Sequence, residues 1–229
     1  MEGIILAGGF GTRLRDLVHD LPKPMAPIGE RPFLEVLLGM LARKGFCRII
    51  ISLGFLGEII LSHFGNQCFG MDLIYVAEER PLGTGGAVRL AMTKCVEDHV
   101  FVFNGDTYLD VDAPSVEKLW RKKQGIIVVG CDVQDSARYG RLIVYDSRVK
   151  GFLEKGDGGP GPINAGCYVF PVGCLDSWPL GVAFSLEKEF LSDAVSNGSV
   201  EYFRTAGLFI DIGVPSDYIR AQELLRDVV

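Results

Sequence analysis

EGIILAGGFGTR, residues 2–13, runs from an apolar stretch straight into Gly8, Gly9, Gly11 and an arginine. Residues 2–7 read as a buried strand and the glycines as the loop that leaves it. In an open α/β sheet, ligands bind beyond the carboxyl ends of the strands. Glycines there lack a Cβ, so backbone N–H groups can approach an anion closely. Working outward, the pattern predicts a helix over 33–45, a strand over 48–53, a helix over 56–64 and a strand over 71–76. A helix over 84–94 and a strand over 100–104 follow. Alternation of this kind predicts an α/β fold: a Rossmann-like, mainly parallel (mixed) sheet with helices on both faces and right-handed crossovers.

The later sequence changes character. A helix is predicted over 113–123 and strands over 126–132, 141–145, 149–153 and 163–170. A helix over 185–197, strands over 200–204 and 208–211 and a closing helix over 215–226 complete the reading. Turn residues at 157–162, DGGPGP, are too few to separate domains. The expectation is one domain over 1–229, with an antiparallel extension on the later strands.

Composition narrows the function classes. The chain has 229 residues, of which 48% are apolar, so a sizeable core can form. Net charge is −6, and the run Arg121-Lys122-Lys123 reads as a solvated helix end, so a nucleic-acid partner is not expected. No apolar run reaches the ~18 residues of a membrane span, and the first residues lack the basic start of a signal peptide. A soluble, cytoplasmic protein with no membrane partner is expected. Six cysteines form no CxxC pair and read as small hydrophobes. His19, His63 and His99 have no metal-ligand spacing and receive no role.

Two familiar phosphate loops do not fit the first glycines. A Walker A loop requires GxxxxGK[ST], which is absent, and a GxGxxG fingerprint begun at Gly9 ends on Leu14. The longer stretch LAGGFGTRLRDLVHDLPKPMAPIGERPFLE (6–35) instead resembles the sugar-phosphate nucleotidyltransferase family, whose signature is L-A-G-G-x-G-T-R-L followed by P-K-P. Glycines, Thr-Arg-Leu and Pro-Lys-Pro all fall in order.

The resemblance implies an activity and a residue set. Leu6, Ala7, Gly8, Gly9, Gly11 and Thr12 would bind the triphosphate. Arg13 would hold its β- and γ-phosphates, and Lys23 its α-phosphate during transfer. In EERPLGTGGAV (78–88), Glu79, Pro81 and Leu82 would border the base, with Gly83, Thr84 and Gly86 passing close to base and ribose. FVFNGDTYLD (101–110) and LFIDIGVPSDY (208–218) resemble the family's metal segments, so Asp106 and Asp211 would share Mg²⁺; Phe209 and Val214 depart from the usual Trp and Thr. The sugar-phosphate side would comprise Asn104, Gly105, Tyr139, Gly140, Glu154, Lys155, Asn164 and Glu187. Glu187 also reads as an ordinary helix-capping acid.

The implied reaction is attack of a sugar 1-phosphate on the α-phosphorus of a nucleoside triphosphate, releasing pyrophosphate. The PLGTGGA loop and the short length most resemble the guanylyltransferases of D-glycero-D-manno-heptose 1-phosphate, which implies GTP, GDP-heptose and surface polysaccharide. Uridylyl transfer to N-acetylmuramate 1-phosphate and guanylyl transfer to mannose 1-phosphate remain open. So do a nucleotide-sugar-sensing regulatory homologue and, through Asp110-Val111-Asp112, a glycosyltransferase. The absence of hexapeptide repeats argues against the bifunctional acetyltransferase relatives. A homo-oligomer is expected by analogy.

Overall fold

The computed structural model describes residues 1–9, 14, 18, 20–153, 158–226 and 228. Its strands are β1 (Glu2–Leu6), β2 (Pro27–Ile28), β3 (Arg31–Pro32), β4 (Arg48–Leu53), β5 (Gln67–Cys68), β6 (Met71–Ala77), β7 (His99–Asn104), β8 (Thr107–Leu109), β9 (Ile126–Val133), β10 (Arg141–Tyr145), β11 (Arg148–Leu153), β12 (Gly161–Pro171), β13 (Val200–Thr205) and β14 (Phe209–Asp211). Its helices are α1 (Phe33–Arg43), α2 (Gly57–Phe64), α3 (Gly83–Met92), α4 (Ala113–Lys123), α5 (Ser192–Ser196) and α6 (Pro215–Leu224). A 3₁₀ turn spans Lys23–Met25, and a π-helical segment, Leu186–Leu191, leads into α5.

The main sheet runs β10-β11-β13-β9-β12-β7-β1-β4-β6-β5. Only part of it is parallel, which corrects the expected mainly parallel sheet. β7, β1, β4 and β6 are parallel to one another, as are β9 and β13. The long β12 inserts antiparallel between β7 and β9, and β10, β11 and β5 also pair antiparallel. The fold is therefore mixed α/β. The physical reason lies in the connections: the early strands are joined by helical crossovers, which permit parallel pairing. β10 and β11 instead join through the turn at Asp146 and Ser147, both with positive φ, and such hairpins are antiparallel.

Period-two alternation supplies two cores. Ile5, Ile49, Ile51, Phe101, Phe103 and Val129 face the layer of α1, α2, α4 and α6. Their neighbours Ile4, Ile50, Val100, Val102 and Val128 face α3, the π-helical segment and α5. Helices on both faces match the sequence expectation. α1 buries most of its surface and stops at Gly45, whose φ of +88° suits the left-handed turn after a helix. α4 starts on Asp112, whose carboxylate accepts the Ser115 N–H, and ends in Arg121-Lys122-Lys123. The Asp110-Val111-Asp112 triplet is thus a helix entry, with Asp110 paired to Lys44. Among the described residues no helix is long and apolar enough to cross a membrane. All six cysteines are free; Cys131 and Cys167 are buried and Cys47 is exposed.

Candidate active site

Four parallel strands end at one edge, and their loops enclose a cleft of about 540 Å³. β1 delivers Leu6, Ala7, Gly8 and Gly9; β4 delivers Ser52, Gly54 and Phe55; β6 delivers Glu78 to Pro81; β7 delivers Asn104, Gly105 and Asp106. Lys23, Gly83, Thr84 and Glu187 close it. Two loops touch backbone to backbone. A Cβ on Gly54 would lie 2.5 Å from the Gly8 carbonyl oxygen, and one on Gly105 would lie 2.5 Å from that of Leu6. The glycines here let chain pass against chain. Gly11, Thr12, Arg13, Glu154 and Lys155 lie outside the described residues.

At one end of the cleft, the ammonium of Lys23 sits 2.5 Å from Asp106 Oδ2. Asp211 is brought beside them by a two-strand pairing far from it in sequence. β14 runs antiparallel to β8, matching Asp211 with Thr107, and the Ile212 N–H donates to the Asp106 carbonyl at 2.9 Å. The Gly213 N–H donates to the Asp211 carboxylate. A Cβ on Gly213 would stand 2.6 Å from Asp211 Oδ1 and 3.3 Å from Lys23 Nζ, so this glycine keeps the corner open. Burial, then the charge of Asp106, push the Asp211 carboxyl up; Lys23, the Gly213 N–H and Arg138 oppose them. Two mutually repelling carboxylates, one poorly solvated, make a donor set that suits a hard divalent cation. Mg²⁺ is typically held by one or two carboxylates together with phosphate oxygens and water. Groups of three or more metal-ligating side chains are absent among the described residues.

At the other end, Glu187 is held by a hydrogen-bonded chain. Thr84 Oγ1 donates to Glu187 Oε2 at 3.0 Å and accepts the Leu186 N–H at 2.9 Å. Tyr168 OH donates to Glu187 Oε1 at 3.4 Å, and Asn164 Nδ2 donates to Tyr168 OH at 2.8 Å. The segment carrying Glu187 is π-helical rather than the regular helix expected over 185–197, and such bulges often accompany functional sites. The capping acid is Glu189, which accepts the Ser185 N–H at 2.6 Å. That leaves Glu187 turned into the cleft.

Six expected residues among those described stand outside the cleft lining, among them Leu82, which is buried. Gly86 packs in α3, where a Cβ would meet the Val182 carbonyl at 2.6 Å. Asn164 lies at the bulge of β12, behind Tyr168. Tyr139 stacks edge-on against Phe209, and its hydroxyl points to Asp217 at 3.5 Å; the Gly140 carbonyl accepts the Asn164 N–H. Asp211 flanks the lining through Lys23 and Gly213. Sequence reasoning missed Pro24, Ser52, Gly54, Phe55, Glu78, Arg80 and Ala87. The rule that ligands bind at strand ends, applied to β4 and β6 as it was to β1, would have found Gly54 and Glu78.

A mixed α/β sheet with a glycine-walled cleft at its parallel strand ends, and a lysine paired to one of two neighbouring aspartates, defines a protein that binds a nucleotide and handles its phosphates. The chain belongs to the nucleotidyl transferase family, whose model matches residues 2–228. It is 39% identical to a D-glycero-alpha-D-manno-heptose 1-phosphate guanylyltransferase of Aneurinibacillus thermoaerophilus, covering 100% of both chains. It is 36% identical to the protein of that name in Campylobacter jejuni, covering 95% of this chain and 97% of that one. Among solved structures it is similar to HddC from Yersinia pseudotuberculosis complexed with GMP-PN. There the TM-score is 0.86 at 35% identity, covering 97% of this chain and 98% of that one.

Proposed function

We propose that this protein transfers GMP from GTP to D-glycero-α-D-manno-heptose 1-phosphate, giving GDP-heptose and pyrophosphate for capsule or other surface polysaccharide. The full-length likeness to heptose 1-phosphate guanylyltransferases carries this reading. The chain acts as one domain over residues 1–229.

A phosphate oxygen of the sugar phosphate attacks the α-phosphorus; the new P–O bond forms as the bond to the β-phosphate oxygen breaks, and pyrophosphate leaves. The nucleophile is already an anion, so no general base is required. The obstacle is repulsion between anions, and positioned positive charge answers it. Lys23 supplies a cation at the cleft wall, with Arg13 and Lys155 expected to add two more. Asp106 and Asp211 would hold Mg²⁺, which supplies charge neutralisation on the phosphates when bound. Glu187, which accepts hydrogen bonds from Thr84 and Tyr168, would accept sugar hydroxyls.

The test is product identity. GTP, heptose 1-phosphate, Mg²⁺ and the protein should yield GDP-heptose by mass spectrometry together with one equivalent of pyrophosphate. A product mass for any other nucleotide sugar in a mixture of all four triphosphates would overturn the reading.

A further inference from the structure

We propose that Tyr218 and Gln222 of α6 are positioning residues, which clamp the β2–β3 hairpin so that Lys23 meets the reacting phosphates. This rests on the transferase reading above, in which Lys23 acts on the α-phosphate. Three hydrogen bonds join helix to hairpin across 191 to 195 residues of chain. Tyr218 OH donates to the Pro27 carbonyl at 2.6 Å. Gln222 Nε2 donates to the same carbonyl at 2.6 Å, and its Oε1 accepts the Gly29 N–H at 3.0 Å. The two side chains are four positions apart, so one face of α6 presents both. Both are half-buried.

The hairpin needs an outside brace. Its strands have two residues each, and Pro27 lies opposite Pro32. Neither proline has an N–H, so that pair exchanges no ladder bond. A lone two-stranded hairpin is marginal in water. Any shift of Pro27 would reach Lys23, because the chain between them is stiff. Pro22, Pro24 and Pro27 fix φ at three of the six positions in PKPMAP (22–27). The Ala26 N–H donates to the Lys23 carbonyl at 3.0 Å, and Pro24, Met25 and Ala26 are buried. At its other end α6 starts on Pro215, four residues after Asp211, whose neighbour Ile212 donates its N–H to the Asp106 carbonyl. One helix therefore holds both the lysine segment and the aspartate corner, and sets the first against the second.

The experiment is a double-mutant cycle between Gln222 and Lys23, read as pyrophosphate release from GTP and heptose 1-phosphate. Gln222→Met keeps the side chain's length and helix propensity and removes both of its bonds. It should lower kcat and kcat/KM together by about 10- to 100-fold, the cost of a misplaced group that acts in the transition state. Tyr218→Phe, which leaves the Gln222 bonds in place, should lose less. In a Lys23→Met background, measured by single turnover with enzyme in excess, Gln222→Met should change the rate by less than about twofold, because the group it positions is gone. A side chain that only stabilises the fold would lower the rate by the same factor in both backgrounds, and that result overturns the proposal. So does a raised KM at unchanged kcat, which also decides the matter if Lys23→Met shows no turnover. Should Gln222→Met fail to fold, Tyr218→Phe carries the same cycle. A wild type that prefers another triphosphate or sugar phosphate removes the substrate reading alone, and the cycle is then read on that pair.

Discussion

Lys23 pairs with Asp106, which the chain brings beside Asp211 from 105 positions away. Each was legible as a candidate because it sits in a motif at a strand end. Their meeting was legible only through the family resemblance, because it depends on β8 and β14, strands of three residues each, too short to give a periodic signal. Asp106→Asn and Asp211→Asn should each lower kcat by on the order of 10²-fold or more, as single electrostatic groups in phosphoryl chemistry do. Steady-state pyrophosphate release against Mg²⁺ concentration checks this. Near-full Mg²⁺-dependent turnover in either variant would remove that residue from the metal site. Glu78 was invisible for a different reason: a lone acid after a strand is common, and only its place under Gly8 and against Leu82 distinguishes it.

The crossover units from β1 to β7 follow from hydrophobic periodicity, and their helices and strands stand within a residue or two of expectation. The antiparallel half was predicted as strands but not as partners. β12 pairs with β7 and β9, strands about sixty and thirty-five residues earlier, and no local pattern records such pairing. Where loops meet, glycine is decisive. Gly54→Ala would drive a methyl into the backbone of Gly8, so the loops that follow β1 and β4 must separate. Expected outcomes are destabilisation of about 1–3 kcal/mol, seen by denaturant unfolding, and a raised KM for the triphosphate. Unchanged stability and KM would mean these loops are not held by that contact. A second brace joins β7 to α4. His99 lies between Asp98 and Glu117, 2.6 Å from each, and stacks on Trp120 at 3.8 Å. Burial alone would push the Glu117 carboxyl up, but hydrogen bonds from His99 and Arg121 hold it below its ordinary value. A carboxyl lowered by folding stabilises above its unfolded pKa, and that stability fades as pH falls through the folded one. Glu117→Gln should therefore be less stable than the wild type at neutral pH. The two unfolding curves should converge below about pH 4. A gap that persists into acid would assign the effect to packing instead.

At the scale of the whole molecule, two half-sheets of different character meet along β7 and β12. The parallel half presents glycine loops and carboxylates at one edge, which is where a triphosphate can be gripped. The antiparallel half contributes Tyr168 and Asn164 behind Glu187, on the side assigned to the sugar. A two-substrate reaction suits such a division. The measurement that tests it most directly is kcat/KM for pyrophosphate release across GTP, ATP, UTP and CTP, each paired with heptose, mannose, glucose and N-acetylmuramate 1-phosphates in the presence of Mg²⁺. GTP with heptose 1-phosphate should exceed every other pair by at least about 10-fold, the discrimination worth roughly 1.4 kcal/mol. Preferred turnover of UTP, with N-acetylmuramate 1-phosphate or any other sugar, would contradict the account.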